Sequence, residues 1–252
     1  MTRRKLIAGN WKMNGLKADA VALAEAVCSK YSSLENKTFD MFIAPPFTVL
    51  DAVCDVVADS GVWVGGQDCS VFEKGAHTGD VSPVMLKDLG CGGVIVGHSE
   101  RRADHFETNE LVKDKASAAL SAGLGVIICV GETLEEREVG KTLEVVGAQV
   151  KGSVPENATA GKVVIAYEPV WAIGTGKVPT TEEVEEVHAY IRQVLADVLG
   201  TDIAENMQIL YGGSVKPSNA AELLGLPDVD GALIGGASLK AEDFWAIAET
   251  VM

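Results

Sequence analysis

Short apolar runs without polar interruption recur along the chain. They are LIA at 6–8, MFIA at 41–44, VWV at 62–64, VIV at 94–96, VIICV at 126–130, VVIA at 163–166, ILY at 209–211 and ALI at 232–234. Runs that are apolar at every position, rather than at every second one, suit strands covered on both faces, as in a parallel sheet. Between them the period changes. Val184, Val187, Ile191, Val194 and Val198 step by three and four residues and trace one face of a helix. Thr180 and Glu183 at its start have the spacing of a capping box. Leu16, Ala20, Leu23, Val27 and Tyr31 make a similar stripe after the first run. Strand and helix thus alternate eight times, which fits one (β/α)8 barrel domain over residues 1–252. An open, doubly wound sheet has the same periodicities and is the competing architecture.

In a parallel barrel the carboxyl ends of all strands share one face, where function gathers. Read by that rule, the first run leads into Asn10-Trp11-Lys12 and the fourth into Gly97-His98-Ser99-Glu100-Arg101. The sixth ends at Glu168, the seventh at Gly212-Gly213-Ser214, and the eighth at Gly235-Gly236. Taken singly, each has an ordinary structural use: a solvated lysine, a satisfied core histidine, a pairing carboxylate, tight turns. Their joint placement on one face points instead to a site. Glycine turns let backbone N–H groups approach an anion, and the loops after strands seven and eight of a barrel commonly hold a phosphate. Ser214 would add a hydroxyl donor. The stretch YEPVWAIGTGK at 167–177 sets Glu168 before Pro169 and Trp171 and then before Gly174 and Gly176. That order suits a rigidly held carboxylate beside a compliant flap.

Charge narrows the partners. A net charge of −15 opposes nucleic acid, which needs a basic footprint, and anionic membrane surfaces. A small anionic ligand then requires a local cationic pocket. Five cysteines without CxxC spacing indicate free thiols in a reducing compartment rather than a disulfide framework or a metal site. No run approaches the ~18 apolar residues of a membrane span, and Asn10, Lys12 and Asn14 interrupt the N-terminal apolar run too early for a signal peptide. The expectation is a cytoplasmic protein. The connection at 67–80, QDCSVFEKGAHTGD from Gln67 to Asp80, is too long for a routine strand–helix loop and suggests a purpose of its own.

The stretches AGNWKMNG (8–15), GHSERR (97–102), CVGETLEERE (129–138), AYEPVWAIGTGK (166–177), YGGSV (211–215) and GGAS (235–238) closely resemble the triosephosphate isomerase family. The resemblance runs in order over essentially the whole chain. It implies interconversion of dihydroxyacetone phosphate and glyceraldehyde 3-phosphate, in glycolysis and gluconeogenesis, with no cofactor and no metal. It implies Glu168 as general base, His98 as electrophile, and Lys12 and Asn10 as substrate contacts. Gly174, Ser214, Gly235 and Gly236 would hold the phosphate. The 67–80 loop would insert into a second copy and make a homodimer, although His77 before Thr78, and Asp80, depart from the family's pattern there. A helix beginning at Ser99 would lower the pKa of His98, a tuning described for this family, and flap closure would raise that of Glu168. Two rivals remain: a barrel in which Lys12 forms a Schiff base, and a non-catalytic sugar-phosphate sensor.

Overall fold

The computed structural model of the chain describes residues 3–173 and 177–252. Its strands are β1 (Lys5–Asn10), β2 (Phe39–Ala44), β3 (Trp63–Gly66), β4 (Gly93–Val96), β5 (Gly125–Val130), β6 (Val163–Tyr167), β7 (Ile209–Tyr211) and β8 (Gly231–Ile234). Each runs parallel to the next in chain order, and β1 also pairs with β8, so Ala8 lies opposite both Phe42 and Leu233. Closure decides between the two architectures: this is a (β/α)8 barrel and not an open sheet. Every apolar run falls on a strand, with Val62 one residue ahead of β3.

The strands are apolar throughout because they serve two cores. Leu6, Ala8, Phe42, Ala44, Ile95, Ile127, Cys129, Ala166, Leu210 and Leu233 fill the barrel interior. Their immediate neighbours Ile7, Met41, Ile43, Val94, Val96, Ile128, Ile165, Ile209 and Ala232 pack outward in the larger core with the helices. Alternation along a strand therefore decides which end residues enter the mouth. Asn10 is in phase with Leu6 and Ala8, and Glu168 with Ala166.

Around the barrel lie α1 (Lys17–Ser32), α2 (Phe47–Val57), α3 (Pro83–Asp88), α4 (Ser99–Asp104), α5 (Asn109–Ser121), α6 (Leu134–Glu138), α7 (Thr142–Ser153), α8 (Thr181–Leu199), α9 (Thr201–Asn206), α10 (Ala220–Leu224) and α11 (Ala241–Ala248). The capping box opening α8 is present in both directions: the Thr180 hydroxyl accepts from the Glu183 N–H, and the Glu183 carboxylate accepts from the Thr180 N–H. Two stripe positions differ from expectation. Val198 is exposed near the end of α8, where Leu195 takes the buried place, and Leu16 is an exposed residue just before α1. Leu16 stands ahead of the first turn of α1 and Val198 lies in the last turn of α8, so periodicity outruns contact at both ends.

Candidate active site

Asn10, Lys12, His98, Glu168, Ser214, Gly235 and Gly236 line one cleft of about 700 Å³ at the carboxyl ends of the strands. The structure thus brings together every candidate except Gly174, which, with Gly176, lies outside the described residues. Lys216 and Lys240 join Lys12 in the lining, against Glu168 and Asp243. This supplies the local positive charge that so acidic a chain needs to receive an anion. Sequence spacing gave no sign of these two lysines, because their loops carry no periodicity.

Lys12 reaches the cleft through an unusual backbone. Its φ is 53°, in the left-handed region that costs a side-chain-bearing residue about 1–3 kcal/mol. Three neighbours hold it there. The Asn10 Oδ1 accepts from the Lys12 N–H at 3.0 Å, the Lys12 carbonyl accepts from Gln67 Nε2 at 2.8 Å, and the Lys12 ammonium meets Glu100 at 2.7 Å. Gln67 also donates to the Ala44 carbonyl, tying β1 and β2 together beneath the lysine. The Nδ2 amine of Asn10 makes no hydrogen bond to the described residues and is free to meet a ligand.

His98 is aimed by Gly97, whose φ of +65° breaks the phase of β4; a Cβ there would come within 2.7 Å of Val112. The ring caps α4, its Nδ1 accepting from the Glu100 N–H at 3.3 Å. A nitrogen that accepts carries no proton, so the ring hydrogen sits on Nε2, and Nε2 donates to Glu168 Oε1 at 2.8 Å. Glu168 continues the β6 ladder through its N–H to the Val130 carbonyl, and its Oε2 accepts from the Ser99 N–H at 3.0 Å. Gly212 makes room for it, since a Cβ there would lie 2.8 Å from Glu168 Cγ.

These contacts reverse the pKa direction expected for His98, while the rise expected for Glu168 belongs to closure of a flap whose glycines lie outside the described residues. Burial alone would push the Glu168 carboxyl up; the His98 ring, the Ser99 N–H and Lys12 together hold it below the usual carboxylate range. Burial alone would push His98 down; Glu168 at hydrogen-bond distance draws it above its ordinary value. Here, with the two facing each other, each stabilises the charged form of the other.

Behind Glu168 lies a residue whose part the sequence reading missed. Glu132 is fully buried and accepts from the Tyr167 hydroxyl at 3.1 Å and from Trp171 Nε1 at 2.8 Å. Arg137 stacks over the Trp171 ring, its guanidinium carbon 4.3 Å from the centroid. The single 3₁₀ turn Val170–Ala172 is thereby pinned to the loop after β5. Pro169 and Trp171 do form a stiff base, but the anchor is a carboxylate from another loop. The only available signal was a charged residue two positions after a buried strand.

The glycine turns differ in form. Gly235 leads directly into a 3₁₀ turn, Gly236–Leu239, and a Cβ at Gly236 would meet nothing within 4 Å, so its backbone faces open cleft. No helix directly follows Gly212-Gly213; an irregular loop intervenes before α10. Among the described residues, no three His, Cys, Asp or Glu side chains gather to hold a metal, and no helix is long and apolar enough to cross a membrane.

A family model described as triosephosphate isomerase matches residues 5–251. A triosephosphate isomerase of Ruegeria pomeroyi is 55% identical over 249 residues, spanning 99% of this chain and 98% of that one. One of Xanthobacter flavus is 56% identical over 249 residues with the same shares. The crystal structure of triosephosphate isomerase from Bartonella henselae superimposes with a TM-score of 0.91 at 45% identity, over 98% of each chain.

Proposed function

Because the chain belongs to the triosephosphate isomerase family and so interconverts dihydroxyacetone phosphate and glyceraldehyde 3-phosphate, we propose that Glu168, His98, Lys12 and Asn10 carry that reaction in the cleft. The observation that carries this reading is the Glu168–His98 contact at 2.8 Å, with the Lys12 ammonium on the same wall. Glu168 removes a proton from the carbon beside the carbonyl and returns it to the neighbouring carbon. His98 donates from Nε2 to the oxygen that becomes negative, and Lys12 places positive charge beside the same oxygens. Asn10 offers its free amide N–H.

The resting contacts give the substrate a role in switching on the base. While His98 and the Ser99 N–H hold Glu168, its basicity is low. A substrate oxygen that takes the His98 donor releases the carboxylate from one partner, and exclusion of water raises it further. Gly174, Ser214, Gly235 and Gly236 are assigned to the phosphate: the Gly236 backbone faces the cleft and Ser214 lines it, in keeping with a barrel phosphate site. These steps use the chain's own residues throughout.

The 67–80 loop is assigned to a homodimer. Ser70 N–H donates to the Val81 carbonyl at 2.8 Å and its hydroxyl to Asp80 at 2.9 Å, closing the loop at its base. Phe72 stacks on His77 with ring centroids 4.0 Å apart. Met13 and Phe106 are 94% and 82% exposed, and Phe47, Phe72 and Met85 are exposed as well. Phe47 and Asp68 line two neighbouring clefts, one shared with Met13 and the other with Phe72, as expected of one face waiting to be covered. Buried free thiols fit a cytoplasmic setting.

Incubation with dihydroxyacetone phosphate in heavy water tests the chemistry. Deuterium on carbon in substrate and product is expected, whereas product without label would remove the proton-transfer assignment, and binding without turnover would indicate a sensor. Sedimentation showing an active monomer at nanomolar concentration would remove the dimer.

A further inference from the structure

Away from the cleft, two cysteines distant in sequence meet. Cys54 on α2 and Cys91, in the turn leading into β4, have their sulfurs 4.0 Å apart. Both are unpaired thiols, packed in the core between helices and barrel. Cys54 keeps 8% of its surface exposed and borders a pocket of about 630 Å³ near the amino ends of the strands, lined also by Asp55, Trp63, Lys87 and Lys162. Cys91 is sealed behind it at 1%. One thiol is therefore within reach of a small oxidant and the other is within reach only of its partner.

We infer that Cys54 and Cys91 form an oxidisable dithiol, a modification site that closes to a disulfide when a hydroperoxide enters this pocket. The thiolate of Cys54 attacks the distal peroxide oxygen, breaking the O–O bond and giving a sulfenic acid on Cys54 and water or an alcohol. Cys91 sulfur then attacks Cys54 sulfur and displaces hydroxide, which leaves as water with the Cys91 proton. Two thiols and one hydrogen peroxide thus become one disulfide and two waters, with sulfur oxidised and the peroxide oxygens reduced.

Ionisation follows the same division of labour. The contact with Cys91 lowers the Cys54 pKa despite burial and despite Asp51 and Asp55 nearby; Cys91 is raised by the same contact and by burial, with Lys87 only partly opposing. Burial raises Cys28, Cys69 and Cys129 instead. Cys54 is the one cysteine of the chain whose pKa is drawn below its ordinary value. From contact to a bond of about 2.05 Å the sulfurs must close by roughly 2 Å. The disulfide would enclose β3, the 67–80 loop and α3 in one covalent ring, so the oxidised protein should resist unfolding while the distant cleft keeps its activity.

The test is hydrogen peroxide on the intact protein, followed by alkylation of remaining thiols, digestion, and fragmentation that reads Cys54 and Cys69 separately. Expected are a single Cys54–Cys91 disulfide, a raised unfolding midpoint reversed by dithiothreitol, and unchanged turnover. In Cys91→Ala the Cys54 sulfenic acid should persist and react with dimedone, and in Cys54→Ala neither product should form. A disulfide involving Cys69, oxidation of single cysteines without a crosslink in the unsubstituted protein, or no reaction of Cys54 would overturn the inference.

Discussion

His98 and His188 are both buried, yet they are held in opposite ways. His188, on α8, lies against Tyr167 and Tyr211 with ring centroids 5.8 and 6.4 Å away, and its Nδ1 donates to the Asp228 carbonyl at 3.1 Å. Burial pushes its pKa down to about 4. His98 instead accepts at Nδ1 and donates from Nε2 into the cleft, beside a carboxylate. The difference extends to their surroundings. One turn along α8 from His188, Arg192 gives Nη1 to the Ala204 and Met207 carbonyls, Nη2 to Asp230, and Nε to Asp228. Asp230 also accepts from Arg3 and from the Ile209 N–H. Near the amino ends of β1 and β8 each charge thus has its partners within the protein. In the mouth, Asn10 keeps a free donor, Lys12 sits in a strained backbone, and Glu168 is held by groups that a ligand can replace. Buried charge alone does not distinguish a site from a strut; spare bonding capacity facing a cavity does.

Substitution at the two ends should separate the two kinds of network. Glu168→Gln should lower kcat by on the order of 10³-fold, and Glu168→Asp, which withdraws the carboxylate by one methylene, by about 10²-fold, each with little change in KM. Steady-state kinetics checks both, and near-normal turnover by Glu168→Gln would mean the base lies elsewhere.

Arg192→Met should do the reverse. Leaving Asp228 and Asp230 short of a buried partner should cost about 3–4 kcal/mol of stability in urea unfolding, with kcat of the folded fraction unchanged. A large fall in kcat at unchanged stability would erase the distinction between strut and site.

The smallest effect should come from His188 and pH. Its pKa falls from 6.5 unfolded to about 4 folded, so the unfolded chain binds the extra proton between these values. Its contribution is therefore complete above pH 6.5 and lost as pH falls towards 4. Between pH 7 and 5 this amounts to about 2 kcal/mol, readable as the excess acid sensitivity of the unfolding midpoint over His188→Asn. Equal sensitivity in the two proteins would show His188 to be proton-silent.

The parallel, doubly covered sheet was legible because each apolar run had to be apolar on both sides, and Ile7 and Ala8 are buried at once in different cores. Asn10 and Glu168 were legible for a related reason: as polar residues placed just where such a run ends, they had few buried places to go except the mouth. Gly97 could be read as a turn, but that it re-aims His98 depends on Val112, a contact with α5 that no local spacing announces. Glu132 and Gln67 escaped notice because their partners, Trp171 and Lys12, lie 39 and 55 residues away along the chain.

Sequence by itself therefore determined the strand and helix periods, the polar residues at strand ends and the family resemblance, since local sterics and the need to bury apolar surface act between near neighbours. Tertiary structure decided barrel closure, the 2.8 Å pairing that sets the ionisation of Glu168 and His98, and the meeting of Cys54 with Cys91. Each of these is a distance between groups far apart in the chain, and such distances exist only once the whole chain has packed.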